Sequence, residues 1–431
     1  MASGTDETSA GGRATGGSRR ALGELAFVGG GKLFNLIALF AVDVLVARVA
    51  GTAEYGLYTA SLGLVMILEA VFGTPLDQAT VRFGVLHRDE PDRSHRFMAM
   101  ALRLKLLVGA GLVLVALVAG GPLAGRLFSE SPRRSLVRVA AAAAMTLLAV
   151  RGVAAYFQTQ TRFKSYAALD VFLGVSRLLG AWLLMRTGAA IGDAYVGNYA
   201  AGAAVGFAAS LLWVRRAYLI APWPDRADRR ALLGYLGAAG GVAALGTFTA
   251  KSGGLFLTAL QSNEAAGVFG AADRVSFMVT LPALYAALVA QPRVIPLARS
   301  GRLGRLVRLN VLIVAGLAVA AVPVVIWAAP VAIPAVFGLD YRPAVPVLQV
   351  LAAGVLLDML TMPLMLTFAL QLFPRTALVG EVGVTIVYCA AAPLAATAGP
   401  MAVAAVAVGI RAAKLVLYAA IFATKIRSVR Q

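Results

Sequence analysis

The sequence has few charged and few redox-active side chains for its length. Of its 431 residues only 14% are charged, two are histidine and one, Cys389, is cysteine. A single cysteine excludes a disulfide framework, and His87 and His95 flank acidic residues in one polar loop, which indicates a solvated loop and no metal site. No P-loop pattern and no nucleophile–base combination is present. The sequence therefore predicts no enzyme, no metal site and no resident cofactor.

Apolar residues dominate instead. The chain is 60% hydrophobic with a mean hydropathy of +0.81, and apolar segments recur that are long enough to cross a hydrocarbon core about 30 Å thick as helices. These segments lack the strict alternation of barrel strands. The sequence predicts an all-α polytopic membrane protein. The twelve predicted spans lie near 22–49, 56–83, 97–120, 136–160, 166–186, 190–213, 231–260, 266–291, 306–329, 344–371, 376–397 and 400–423.

The net charge of +19 would indicate nucleic acid in a soluble protein. In a membrane protein it indicates topology, because Lys and Arg accumulate in cytoplasmic loops. Most loop cations fall on the side of the N-terminus, which predicts a multi-pass inner-membrane protein with both termini cytoplasmic and no nucleic-acid partner. The loop RLFSESPRRSLVR fits this topology least well. The predicted units are a disordered tail (1–20), an N-lobe (21–214), a cytoplasmic linker (215–230), a C-lobe (231–424) and a C-terminal tail (425–431).

An internal repeat relates the two predicted lobes. At one fixed offset of 211 residues, Gly29-Gly30 aligns with Gly240-Gly241 and Gly56 aligns with Gly267. Six spans separate the copies, so both copies have the same orientation. The repeat predicts a pseudo-two-fold axis along the membrane normal, with a substrate path between the lobes.

Several motifs resemble one known family. They are RVAGTAEYGLYTASLGLVMILEAVFGTPLDQATVRFG (Arg48–Gly84), YFQTQTRFKSYAALD (Tyr156–Asp170), VFGLDYRPAVPVLQVLAAG (Val336–Gly354), Ala272-Asp273-Arg274 and Pro292-Arg293. In this order they resemble the polysaccharide-repeat-unit (O-antigen, lipid-linked oligosaccharide) flippases of the multidrug/oligosaccharidyl-lipid/polysaccharide exporter (MOP) superfamily. The first turn, AGTAEYG, departs from the Gly-Pro-Glu form usual in that family.

The resemblance implies a MATE-like, V-shaped transporter of two six-helix lobes that works by alternating access. Members of the family move an undecaprenyl-pyrophosphate-linked oligosaccharide from the inner to the outer leaflet. The resemblance also implies that helices one, two, seven and eight line the central cavity.

Lys251 is the main candidate for contact with an anion. It lies in the stretch FTAKSGG, and no other charged residue occurs from Ala231 to Asn263. It belongs to a stripe of small or polar side chains at helical spacing: Gly237, Gly240, Ala244, Thr247, Lys251 and Gly254. Such a stripe packs closely against a neighbouring helix. Because a lysine does not fit into close packing, we expect a cavity around it.

Other charges inside the predicted spans are further candidates, because charges at membrane depth usually face the protein interior or a wet cavity. The candidate contacts for a pyrophosphate or an acidic sugar are Lys32, Arg151, Arg177 and Arg274. The candidates for responding to a coupling ion are Asp43, Glu69 and Asp77. For Lys32 and the carboxylates the alternative is a structural pair with a neighbouring helix. For Arg151 and Arg177 it is an Asp170-centred structural pair, and for Arg274 it is a side chain that extends to the membrane interface. The remaining span charges are Glu24, Arg103, Lys105, Asp273, Asp358, Glu381, Arg411 and Lys414.

We interpret the sequence as a flippase for an undecaprenyl-pyrophosphate-linked oligosaccharide, coupled to H⁺ or Na⁺ and without another cofactor. The implied partners are the lipid-linked cargo, membrane lipids, and a polysaccharide polymerase and glycosyltransferases. One alternative is a multidrug cation/H⁺ antiporter, whose cavity should be acidic or aromatic. Another is a non-transporting scaffold or a membrane glycosyltransferase, which would normally carry acidic pairs in a large outer loop.

Overall fold

The computed structural model describes residues 9–87, 89–189, 191–290, 303–365 and 372–425. Within these ranges every regular element is a helix. The α-helices are α1 (Ser9–Phe72), α2 (Thr74–Leu86), α3 (Pro91–Leu127), α4 (Arg134–Thr159), α5 (Phe163–Arg186), α6 (Gly192–Leu211), α7 (Arg216–Ile220), α8 (Arg226–Lys251), α9 (Gly253–Leu260), α10 (Asn263–Ala290), α11 (Leu303–Phe337), α12 (Ala344–Leu364), α13 (Pro374–Ala398) and α14 (Pro400–Lys425).

Twelve membrane passes follow from these helices. In the described part of the chain, eight helical segments are long and apolar enough to cross a membrane. The first, Val28–Leu86, makes two passes because the chain reverses at Gly51, whose φ of 79° favours glycine. The sixth, seventh and eighth predicted spans coincide with α6, with α8 and α9 together, and with α10. The predicted all-α, twelve-pass architecture is confirmed.

Three segments differ from their predicted structure: the N-terminal tail, the seventh span and the linker. The first helix begins at Ser9, so residues 9–20 are helical and not a disordered tail; residues 1–8 lie outside the described residues. No proline interrupts this stretch, so the helix of the first span extends back through it despite its four glycines. The seventh span is broken at Ser252, where α8 ends and α9 begins. The predicted linker contains α7, whose Tyr218 stacks on Tyr156 of α4 with ring centroids 4.5 Å apart. Residues 426–431 of the predicted C-terminal tail lie outside the described residues.

Hydrogen bonds between connections define the two ends of the bundle. Arg133, in the α3–α4 connection, pairs with Glu54 beside the α1 kink and with Asp193 at the start of α6. We call this end the kink face. At the other end, Arg162 of the α4–α5 connection donates to the carbonyl of Trp213. The first residues of α3 and α8 also lie at this end. We call this end the linker face. In the predicted topology the linker face is cytoplasmic.

The two halves pack with the same helix pairing. In the N-lobe (α1–α6), α3 contacts α4 and α4 contacts α6; in the C-lobe (α8–α14), α11 contacts α12 and α12 contacts α14. These are equivalent pairs under the six-span repeat. The two six-helix lobes inferred from the repeat are therefore confirmed.

The lobes touch near both faces. Towards the kink face, α1 and α10 approach so closely that a Cβ at Gly56 would overlap the carbonyl oxygen of Asn263. At the linker face, Arg93 of α3 donates to both carboxylate oxygens of Asp228 of α8, at 2.7 and 3.0 Å. We call this pair the linker-face latch. The hydrogen bonds from Arg93 hold the pKa of Asp228 below its usual range.

Candidate functional site

Lys251 lies where the two lobes meet. Its Nζ is 2.9 Å from Oδ2 of Asp273 and 5.1 Å from the centre of the Phe277 ring, both on α10. Gly63 of α1 packs against the Lys251 carbonyl, because a Cβ there would be 2.8 Å from its oxygen. The expected cavity exists, but its volume is only about 30 Å³. It has room for water or a small ion and none for a sugar.

Arg274, the next residue along α10, joins the lobes. Its Nε is 2.7 Å from Oδ2 of Asp43 on α1, and the two residues are only 8% and 0% exposed. Tyr55 and Tyr58 of α1 are buried beside this pair and interact with it electrostatically. Asp43 and Arg274 therefore form an ion pair that exists only while the lobes are in contact here.

The other charges in the C-lobe spans are also paired. Arg411 of α14 lies 2.9 Å from Asp358 of α12, and Lys414 of α14 lies 3.0 Å from Glu381 of α13. Glu381 also accepts a hydrogen bond from Tyr418, at 2.8 Å. Each cation at membrane depth in the described C-lobe thus has a carboxylate within ion-pair distance.

Asp77 has a partner that sequence reasoning missed. Lys105 of α3 is fully buried, and its Nζ lies 2.5 Å from Oδ1 of Asp77 on α2. Lys105 is about two turns inside the predicted third span at 3.6 residues per turn, and its position alone did not indicate a partner. The only signal was the coexistence of one lysine and one acid on adjacent spans.

Five residues in the N-lobe form a different kind of cluster, which we call the N-lobe charge cluster: Lys32, Glu69, Arg151, Asp170 and Arg177. Arg151 interacts electrostatically with both Glu69 and Asp170, and Asp170 interacts with Lys32 and Arg177 as well. Within the part of the chain that the structure describes, none of these five residues has an oppositely charged partner at ion-pair distance. The cations outnumber the carboxylates by one, so the cluster has an excess positive charge.

The depth of the cluster follows from the helix geometry. Lys32 and Glu69 lie at nearly equal distances before and after the kink at Gly51, so both passes of α1 bring them to a similar level, at about 1.5 Å of rise per residue. Arg151 is exposed despite its position at membrane depth. The cluster therefore lies in the half of the N-lobe nearer the linker face, and Arg151 lines an accessible space there.

Close helix packing holds the buried part of the cluster. Gly174 of α5 allows α1 to pass next to it, because a Cβ at this glycine would lie 3.2 Å from the Cα of Asn35. Asp170 and Arg177 flank this contact and are 8% and 4% exposed. The Arg177 guanidinium lies 3.9 Å from the centre of the Tyr199 ring on α6, a cation–π contact. Lys32 lies similarly over the Tyr166 ring, at 5.2 Å.

Several buried polar atoms of this region have no hydrogen-bond partner among the described residues. They are Oδ1 of Asn35, Oδ2 of Asp170, and Nε and one terminal nitrogen of Arg177. An unsatisfied buried polar group costs about 1–3 kcal/mol. Such groups persist where water, an ion or a ligand satisfies them.

The structure thus divides the predicted site residues into two groups. Lys32, Arg151 and Arg177 come together with Glu69 in the N-lobe charge cluster. The others are ion-paired: Lys251 with Asp273, Arg274 with Asp43, and Asp77 with Lys105. Asp170, which was not among the predicted site residues, belongs to the cluster as its most buried carboxylate.

The fold is similar to solved transporter structures. An inward-facing multidrug resistance MATE family transporter of the MOP superfamily is 16% identical with a TM-score of 0.73, over 92% of this chain and 95% of that one. The lipid II flippase MurJ in an inward closed conformation is 12% identical with a TM-score of 0.75, over 94% and 89%. A MOP superfamily transporter from Pyrococcus furiosus, described with a binding pocket of reverse polarity, is 16% identical with a TM-score of 0.70, over 95% and 96%. At these identities the likeness establishes the MATE-like fold.

Sequence comparison establishes the family. No curated protein sequence matches the chain. The family model described as "Polysaccharide biosynthesis protein" matches residues 25–297, which is more than half of the chain and includes the whole N-lobe charge cluster. The resemblance seen in the sequence motifs is confirmed, and the chain belongs to the polysaccharide biosynthesis protein family, with the fold of the MOP transporters.

Proposed function

We propose that the protein is a flippase that moves an undecaprenyl-pyrophosphate-linked oligosaccharide, a polysaccharide repeat unit, across the inner membrane by alternating access. The observation that carries this proposal is the N-lobe charge cluster, in which three cations at membrane depth have no carboxylate of the described residues within ion-pair distance. A diphosphate is the complementary ligand, because charge-assisted hydrogen bonds from Arg and Lys to phosphate are strong where water is excluded. Both termini are then cytoplasmic, and the linker face opens towards the cytoplasm.

Arg151, Lys32 and Arg177 would hold the diphosphate in the first step. Arg151 is the most accessible of the three and would make the initial contact. Arg274 is tied to Asp43 while the lobes touch, so it becomes available only when they separate towards the kink face. Lys251 would then contact the cargo from the C-lobe, beside its partner Asp273.

The inter-lobe contacts supply the two gates that alternating access requires. Opening the linker face separates Arg93 from Asp228, whereas opening the kink face separates Arg274 from Asp43. Coupling to H⁺ or Na⁺ would bias these steps through carboxylates such as Glu69, Asp43 and Asp77. The excess positive charge of the cluster disfavours a cationic cargo, which a multidrug cation antiporter would need. A polymerase and glycosyltransferases that use the same lipid-linked substrate are the proposed functional partners.

A translocation assay tests this function. Proteoliposomes would contain an undecaprenyl-diphosphate disaccharide in both leaflets, and an external glycosidase would report how fast the inner-leaflet sugar becomes accessible. We expect Arg151→Gln to slow this exposure by about tenfold or more, since a hydrogen bond to a charged group contributes about 1.5–3 kcal/mol.

The matched control is Arg103→Gln. Arg103 also lies at membrane depth in the N-lobe, but it donates to the carbonyl of Leu219 and lies over Trp223, outside the cluster. We expect this variant to retain the wild-type rate. If the wild-type protein left the inner-leaflet sugar protected, or if both variants lost the same activity, the proposed site would be wrong.

A further inference from the structure

The charges at membrane depth in the described residues are paired everywhere except in the N-lobe charge cluster and at Arg103. Among the carboxylates, Asp43, Asp77, Asp273, Asp358 and Glu381 all have a lysine or arginine within 3.0 Å. The charge of each of these carboxylates is already compensated by its cation, so a proton added there would leave a buried cation without its partner. Among the carboxylates at this depth whose side chains the structure describes, Glu69 and Asp170 remain without such a partner.

Of these two, Asp170 is the one enclosed by the cluster. It is 8% exposed and its Oδ2 has no hydrogen-bond partner. Glu69 is less buried and accepts a hydrogen bond from Thr74, at 3.3 Å. The charged groups that face Asp170 are Lys32 from α1, Arg151 from α4 and Arg177 from its own helix.

This arrangement makes Asp170 the resident counter-anion of the cations that would bind the cargo. We propose that Asp170 takes up a proton when an anionic diphosphate binds to the N-lobe charge cluster, so that proton binding and cargo binding are linked at this residue. The inference rests on the proposed function, and it names the coupling ion and the residue that the function leaves open.

The physical reason is competition for the same cations. Without cargo, Lys32, Arg151 and Arg177 stabilise the Asp170 carboxylate. A diphosphate that binds these cations satisfies them and places negative charge next to the carboxylate, and at low dielectric this repulsion favours the protonated form. Linkage is reciprocal, so a proton on Asp170 must strengthen cargo binding by the same factor.

The polar atoms around Asp170 are placed where ordered water could carry a proton to its carboxyl group. Oδ1 of Asn35 and two nitrogens of Arg177 are buried and without partners, as groups that contact ordered water would be. Arg151 is exposed and interacts with Asp170, so a hydrated path can reach the carboxyl from the accessible space. The cargo itself contributes no titration near neutral pH, because a diphosphate esterified at both ends has no secondary ionisation.

The experiment measures binding of the undecaprenyl-diphosphate disaccharide to the protein in nanodiscs between about pH 5.5 and 8.5, where a buried carboxyl commonly titrates. For the wild type we expect the dissociation constant to rise with pH, by up to about tenfold per unit for one linked proton. Asp170→Asn should bind as tightly as the wild type does at low pH and should lose the pH dependence. Glu69→Gln should keep it.

A second measurement needs no variant. In weakly buffered solution with a pH-sensitive dye, addition of the disaccharide to the wild-type protein should raise the pH, because the complex takes up protons. Binding without proton uptake would overturn the inference, and so would pH-dependent binding that Glu69→Gln abolishes and Asp170→Asn retains. If the disaccharide failed to bind at any pH, the proposed function itself would fail.

Discussion

The Asp43–Arg274 ion pair allows a quantitative prediction about the kink-face gate. Asp43→Asn removes the charge without changing the size of the side chain, and leaves Arg274 buried without a counter-charge while the lobes are in contact. Breaking a buried ion pair in this way costs about 3–5 kcal/mol. When the lobes separate, Arg274 becomes hydrated and the penalty disappears. The substitution should therefore shift the equilibrium towards the open kink face by about a hundredfold to a few thousandfold.

Disulfide formation across the two lobes measures this shift. The backbone N–H of Ser129, between α3 and α4, donates to the carbonyl of Thr258 on α9 at 3.3 Å, so cysteines at these two positions are within reach of each other. The native Cys389 is exposed and would be replaced by serine. We expect Asp43→Asn to slow oxidative cross-linking of the Ser129→Cys/Thr258→Cys pair by at least tenfold.

Glu381→Gln is the matched control. It also removes a carboxylate that is only 1% exposed, but its partner Lys414 belongs to the same lobe. The control should lower thermal stability and leave the cross-linking rate unchanged, whereas the double exchange Asp43→Arg with Arg274→Asp should restore cross-linking. The reasoning fails if Asp43→Asn cross-links at the wild-type rate, or if Glu381→Gln slows cross-linking as much.

Two further predictions concern the contacts between the lobes. Gly56→Ala should slow the same cross-linking, because the new Cβ would overlap the carbonyl oxygen of Asn263. Gly125→Ala should not, because a Cβ at that position meets no atom within 4 Å. Equal cross-linking rates in the two variants would contradict the close approach of α1 and α10. Because Arg93 holds the pKa of Asp228 low, the latch contributes stability above the usual aspartate pKa and loses it as the pH falls through the lowered value. Hydrogen exchange at the start of α8, corrected for the intrinsic rate, should therefore accelerate at acid pH in the wild type, and Asp228→Asn should show the faster exchange without this pH dependence.

The membrane architecture could be predicted from the sequence because it depends on local properties. A run of apolar residues of sufficient length must be helical in a bilayer, and the repeat requires no knowledge of contacts. The turn at Gly51 lies in the interval 50–55 that separates the first two predicted spans. The break in the seventh span could not be predicted in the same way, because nothing local distinguishes Ser252, where α8 ends, from positions inside continuous helices.

The candidate site was only partly predictable, for a related reason. Helical spacing shows which charges share a face of one helix, but not which helix that face meets. Lys105 and Asp77 lie on different helices, and their ion pair depends on the way in which α2 crosses α3. Lys251 was singled out because it is isolated in the sequence, yet α10 places Asp273 beside it in space.

The distribution of ion pairs is a better guide to the site than the isolation of a charge. Under the repeat, Lys251 is equivalent to Phe40, which packs against Phe337 with ring centroids 6.1 Å apart, so this charge has no counterpart in the N-lobe. In the C-lobe every described cation at depth has a carboxylate partner: Lys251, Arg411 and Lys414 pair within the lobe, and Arg274 pairs with Asp43 of the N-lobe. In the N-lobe the cluster keeps an uncompensated cation at a depth where a charge costs about 2.5–3.5 kcal/mol. An arrangement that destabilises the free protein is retained only if something else satisfies it, and an anionic cargo accompanied by a proton on Asp170 would do so.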